Sequence, residues 1–357
     1  MKSIIWPRIP VSAKQLLKEL QENIIYSAGK YGIFALIKPF GIATTCGALN
    51  SRVKCNVDAE DSSQLTVSSV LHELEDAFGV EKLVIVQSLP RNHSGIILLA
   101  SAGKVAENLN TSIRQSLATH FPYIQLHAVC VGQPQPSEYS NLFAVKRTSL
   151  SSDSNVYLCD SATISNRQRR IGLAKFCFGS YKTLNVQDDC SLVKLNIDKL
   201  TYACHRLLLS EHGSPVLGDQ VFQKRVTSVL GKVITVPAEQ GTNSNQIIPT
   251  MAMKRLGLSL KEYHLLPLSI FVNQLILPRA LNNDSDFIIR TTKTDRYARL
   301  QYYASFMRYG VLEVPRQTNE YLSNKWPSKL PCAYLNTHES SRTETLLKHI
   351  HDGRILI

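Results

Sequence analysis

The chain has 357 residues, room for two or three domains or for one large domain with extensions at roughly 100 to 200 residues per domain. Hydrophobic residues make up 44% and charged residues 19%, which excludes a disordered or purely solvating chain. Lys and Arg number 40 against 28 Asp and Glu, a formal charge of +12 that points to a polyanion such as RNA, DNA or an anionic membrane surface, or to charge that serves solubility alone. No stretch reaches the ~18 consecutive apolar residues of a spanning helix, so no membrane span is expected. The 8 cysteines (Cys46, Cys55, Cys130, Cys159, Cys177, Cys190, Cys204 and Cys332) are scattered singly without a C-x-x-C pair. They spell neither a zinc knuckle nor a disulfide scaffold, and a reducing compartment fits them.

In chain order, Lys2, Arg8, Lys14 and Lys18 precede the first acid, Glu19. This segment reads either as a short organellar presequence or as an amphipathic helix over residues 11–25 through Leu16, Leu17, Leu20 and Ile24. Gly32–Lys38 reads as a buried strand stopped by Pro39 and Gly41, residues 45–66 as a polar loop, and Val67–Phe78 as a helix ended by Gly79. Leu83–Leu89 and Gly95–Ala100 form two apolar runs around the polar turn P-R-N-H-S. A helix over Ala102–Thr119 and a strand over Ile124–Val131 follow, the strand ended by Gly132 and the prolines Pro134 and Pro136.

Residues 133–170 read as a long irregular insertion whose basic cluster, Arg167, Arg169 and Arg170, is a solvated loop or a ligand site. Phe176–Val186 and Cys190–Ile197 suggest a hairpin around Q-D-D, then a helix through Cys204–Leu209 and the turn H-G-S-P. After N-N-D-S-D near residue 280, Phe287–Gly310 interleaves Arg290, Lys293, Arg296, Arg299 and Arg308 with Tyr297, Tyr302, Tyr303, Phe306 and Tyr309. That pattern suits a helix with its aromatics on the core, or a surface that grips phosphates and stacks on bases. No repeat of fixed period is present, and G-x-G-x-x-G, a Walker lysine loop, H-E-x-x-H and G-x-S-x-G are all missing.

Four stretches, taken in order, carry a resemblance. They are Ile24–Gly41, with its strand ending in K-P-F-G; Val84–Ala100, V-I-V-Q-S-L-P-R-N-H-S-G-I-I-L-L-A; Leu126–Pro134; and Ser191–Asp219, closing on H-G-S-P-V-L-G-D. Together they resemble the RluA-type family of RNA pseudouridine synthases, whose signature turn H-R-L-D-R-x-T-S-G is matched in register at Leu89, Arg91, Ser94 and Gly95. The fourth stretch aligns without a gap to the family run ending in T-G-R-T-H-Q-I-R and G-H-P-I-x-G-D, through Arg206, Gly213, Pro215, Gly218 and Asp219.

The resemblance implies an α+β protein with the pseudouridine synthase fold: a bent, mainly antiparallel mixed sheet with flanking helices and a central RNA cleft. It covers residues 24–280, between an N-terminal extension (1–23) open to a presequence role and a basic-aromatic C-terminal extension (281–357). No metal or cofactor is implied. In the family one aspartate of the signature turn works on a flipped-out uridine; the position matching it here is Pro90, which has no acid, nucleophile or side-chain acceptor. The preceding His-Arg is Gln87-Ser88, Leu126 stands at the family tyrosine, and K-L-T-Y-A-C replaces T-G-R-T-H-Q. The nearest acids in sequence are Glu81 and Glu107.

Arg206 matches the family arginine that pairs with the catalytic aspartate. Without that partner it is expected to face water or hold an RNA phosphate, because a buried unpaired guanidinium is costly. Arg91 matches a family arginine on the cleft lip and is expected to meet phosphates, or a local acid; Lys38 is a second such cation. His93, in an exposed turn, is expected to meet solvent or phosphate, or to serve as a base. Two functions stay open: an RNA isomerase with a relocated catalytic group, or a non-catalytic RNA-binding or assembly factor. The similarity to the family's mitochondrial branch implies the mitochondrial matrix, with mitochondrial mRNA or rRNA as partner and RNA-granule or ribosome-assembly proteins as neighbours.

Overall fold

Ser12 caps the first helix, α1 (Ala13–Glu22), its hydroxyl accepting the Gln15 N–H at 3.3 Å. Leu16 and Leu20 lie one turn apart on α1 and are fully buried in the main core. The computed structural model describes residues 9–45, 65–147, 156–229, 232–236, 246–256, 266–281 and 286–291. Over them the basic N-terminal segment takes the helical reading from residue 13 onward, as a packed part of the fold.

The chain continues through β1 (Ile24–Ala28), β2 (Ile33–Lys38), α2 (Leu71–Phe78), β3 (Leu83–Gln87), β4 (Ser94–Ser101), α3 (Lys104–Thr119) and β5 (Ile124–Val131). Then come β6 (Glu138–Arg147), β7 (Val156–Cys159), the short helix α4 (Asn166–Arg170), β8 (Ala174–Gln187), β9 (Cys190–Ile197) and α5 (Cys204–Glu211). The hairpin of β10 (Val226–Val229) and β11 (Lys232–Thr235), helix α6 (Thr250–Leu256), β12 (Ile270–Leu277) and β13 (Phe287–Arg290) complete it. A one-turn 3-10 segment, Val67–Val70, leads into α2, and Gly79 ends that helix in the left-handed region at φ 65°.

The strands form one mixed sheet in the order β1-β2-β4-β12-β5-β9-β8-β6-β7, with β3 also on β4 and β13 also on β12. Its one described parallel pairing is β12 with β4, where Phe271 faces Ser94 and Val272 faces Gly95. The remaining described pairs are antiparallel, as expected of the mixed, mainly antiparallel architecture. Gly95 is required at this crossing: its φ is +123°, and a Cβ there would fall 2.3 Å from the Val272 carbonyl oxygen. The β8–β9 hairpin turns on Asp188 and Asp189, both left-handed at φ 52° and 57°.

Two expectations change. The described part of residues 133–170 is not irregular, because β6 pairs with β8 from Glu138 opposite Lys182 to Lys146 opposite Ala174. Its first residues are exposed or half-buried on both faces, so no alternation marked it; pairing with β8 supplies the order. Phe287–Arg290 is a strand on β12 and not the start of a helix. The rest of the basic-aromatic segment, from residue 292, and residues 46–64 of the polar loop lie outside the described residues. A smaller core of Val129, Leu192, Leu217, Ala252 and Leu256 fixes α6 beside the end of β5.

Candidate functional site

The turn between β3 and β4, Leu89–His93, is held from both sides. The Pro90 carbonyl accepts the His93 N–H at 3.1 Å, and the Arg91 carbonyl accepts the Gly41 N–H at 3.0 Å. The Thr44 hydroxyl donates to the Leu89 carbonyl at 3.0 Å and accepts the Leu89 N–H at 2.8 Å. The segment after β2 therefore fixes the turn after β3, so that Pro90 and Arg91 are exposed while Leu89 and His93 are buried.

Lys38, the last residue of β2, is fully buried, and its ammonium donates inward to the carbonyls of Pro39, at 2.8 Å, and Ile42. Burial first, and the Arg91 charge second, bring its pKa down to about 7. Its expected contact with phosphate is thereby corrected: the ammonium is buried, and two carbonyls direct it inward.

His93 is likewise no exposed turn residue. Its Nε2 lies 2.7 Å from Nε2 of His205 on α5, and its Nδ1 lies 2.8 Å from Asn92 Oδ1. Burial, then the neighbouring His205, Arg206 and Lys38, push the His93 pKa well below the usual 6.5; burial and Arg206 bring His205 down to about 3. Both rings are neutral at physiological pH, and their tautomers follow. Asn92 Oδ1 only accepts, so His93 Nδ1–H donates to it, and His205 Nε2–H donates to the bare His93 Nε2. His205 Nδ1 is left as a buried lone pair with no hydrogen-bond partner among the described residues.

Arg206 follows His205 and is 7% exposed. Its Nε donates to Asp219 Oδ2 at 2.8 Å and its Nη2 to Oδ1 at 2.6 Å, a bidentate pair capped by the Phe222 ring 5.0 Å from the guanidinium carbon. Asp219 Oδ1 also accepts the N–H groups of Val221 and Phe222 at 2.9 and 3.0 Å. The expectation that Arg206 faces water or holds a phosphate is corrected: a buried guanidinium requires an acid, and the fold supplies one 13 residues downstream. Gly218 makes the placement possible, with φ +82° and space for no Cβ beside the Pro267 carbonyl at 2.2 Å.

Lys38, His93, His205, Arg206 and Asp219 thus gather beneath the Pro90–Arg91 turn, and Arg91 alone of the four expected RNA-contacting residues is exposed. His205 and the pairing role of Asp219 escaped the sequence reading. Its available signal was the acid of the G-D dipeptide, on the far side of a turn from a buried-helix arginine. No side chain of the turn carries an acid, and both carboxylate oxygens of Asp219 are engaged. Among the described residues of this arrangement, positive charge is at the surface and no carboxylate is free to attack or to take a proton. Among the described residues no group of three or more His, Cys, Asp and Glu side chains is placed to hold a metal ion, and no helix is long and apolar enough to cross a membrane.

No protein-family model matches the chain. It is 26% identical over 224 residues to the human mitochondrial mRNA pseudouridine synthase RPUSD3, a match covering 62% of this chain and 63% of the relative. To the mouse protein of the same name it is 27% identical over 225 residues, covering 62% and 64%. The matched segment therefore spans just under two thirds of these relatives' length. The solved structure of human RNA pseudouridylate synthase domain containing 4 superposes with a TM-score of 0.57 at 18% identity, covering 82% of this chain and 97% of the other. That likeness shows the pseudouridine synthase fold.

Proposed function

We propose that this chain, which has the pseudouridine synthase fold and whose curated relatives are mitochondrial pseudouridine synthases, is an RNA-binding protein that works without the family's carboxylate chemistry. The observation that carries the reading is the state of the turn. Pro90 stands where the resemblance places the aspartate, and Arg206, the expected partner of that aspartate, is spent on Asp219. Removing the carboxylate removes the reaction path itself, since the neutral imidazoles below the turn are buried and hydrogen-bonded to each other. The formal charge of +12 and the exposed Arg91 support a polyanionic partner.

The relatives' names point to mitochondrial mRNA as the partner and to mitochondria as the compartment; we place the chain in the matrix, where that RNA resides. The test is ultraviolet crosslinking in cells followed by sequencing of the bound RNA. Recovery of organellar transcripts above background is the expected result. Recovery of no RNA overturns the reading.

A further inference from the structure

A cleft of about 650 Å³ shares no lining residue with the Pro90 turn. Its walls bring together His120 after α3, Arg169 and Arg170 at the end of α4, Lys175 and Phe176 on β8, and Lys199 after β9. No acid lines it. The bordering Asp198 is buried and already held by His120 Nδ1 at 2.8 Å and Lys199 Nζ at 3.2 Å. The C-terminal end of α4 accounts for cations on that helix but not for Lys175 and Lys199, which come from other elements.

The cations of this region rest on rings. The Arg169 guanidinium lies 4.6 Å over Phe176, and Arg147 and Lys175 lie 3.9 and 5.0 Å from the Tyr202 ring. Burial is the first cause of a lowered Lys175 pKa, and the crowding of Lys199 and Arg147 beside it is the second. An entering anion relieves that crowding.

The cleft is also tied to the turn. The loop from Lys199 passes through Tyr202 and Ala203, both in the left-handed region at φ 57° and 50°, and reaches His205, which bonds His93. Six residue steps limit the Lys199-to-His205 span to about 21 Å. Tyr202 is pinned in this loop by its hydroxyl, which donates to the Gly172 carbonyl at 2.6 Å.

We propose that Arg169, Arg170 and Lys175, in the cleft whose wall also includes the Asp198-bound His120 and Lys199, hold successive backbone phosphates of a single-stranded RNA whose path runs along the Tyr202 loop to Arg91. This rests on the RNA-binding reading above. The Arg169 guanidinium, exposed and lying over Phe176, offers its outer plane to a base, which favours a single strand, whose unstacked bases have faces to offer, over a duplex, whose bases are already stacked.

The test uses the full chain, a labelled single-stranded oligouridylate and fluorescence anisotropy over a salt series. Arg169→Gln/Arg170→Gln/Lys175→Gln is expected to bind about tenfold more weakly at low salt, with the salt slope shallower by about 2, as three lost phosphate contacts imply. Exposed Arg170→Glu, which leaves the core untouched, is expected to weaken binding in the same direction and serves if the triple variant does not fold. Wild-type binding with both variants unchanged in affinity and slope overturns the cleft while leaving the RNA reading intact. Competition by duplex RNA equal to that by single strands overturns the single-strand assignment. A wild type that binds no RNA overturns the RNA reading and the cleft with it.

Discussion

Arg206 and Asp219 meet in a buried bidentate pair, with Nε to Oδ2 at 2.8 Å and Nη2 to Oδ1 at 2.6 Å. The cation that the resemblance assigns to a catalytic aspartate is therefore neutralised by another acid. The consequences for chemistry and for stability differ, and each is measurable.

Restoring the acid does not restore the pair. Pro90→Asp is expected to convert no uridine in RNA that the purified protein binds, because Arg206 is already engaged. Pseudouridine mapping after incubation checks this, and conversion by the single variant would show Arg206 to be available.

Asp219→Asn leaves a buried guanidinium without its counter-charge and is expected to cost about 3–5 kcal/mol in urea unfolding. Arg206→Met combined with Asp219→Leu is expected to cost less than the two single changes summed, since it removes both charges together. Additive losses would mean that the pair is not coupled.

Acid should loosen the site. His205 is brought down to about 3 and His93 well below 6.5, burial being the main cause, so the unfolded chain takes up protons near pH 6.5 while the folded pair does not. This contribution is intact above pH ~6.5 and is lost as the pH falls toward 3, at roughly 2 kcal/mol from His205 alone by pH 5. Urea midpoints at pH 7.5 and 5 measure the loss, and an NMR titration in which both imidazoles protonate near 6.5 would contradict it.

The N-terminal helix is expected to behave as core. Leu20→Ala, at a fully buried position, should cost about 2–5 kcal/mol. A thermal midpoint unchanged by this substitution would show α1 to be dispensable.

Much of the scaffold was legible because the sequence is locally consistent: apolar runs fell on β2, β4 and β5, and Gly79 and the Q-D-D turn punctuated them where the backbone needs left-handed residues. β6 was not, since its order comes from a neighbour distant in sequence. The site was read in part. Register against the resembled signature turn places Pro90 and Arg91, but the directions of Lys38 and His93 depend on carbonyls and a helix that only the folded chain supplies. Arg206 was misjudged because its missing partner was visible in sequence, whereas the replacement depended on Gly218 turning Asp219 inward.

The most direct test of the account is a pseudouridine map of organellar RNA from cells with and without the chain, with crosslinking of the chain to the same RNA in parallel. The account predicts crosslinked RNA and an unchanged map. Loss of defined pseudouridines, restored by the wild-type chain, would contradict it and place a catalytic group where none of the described residues around Pro90 provides one.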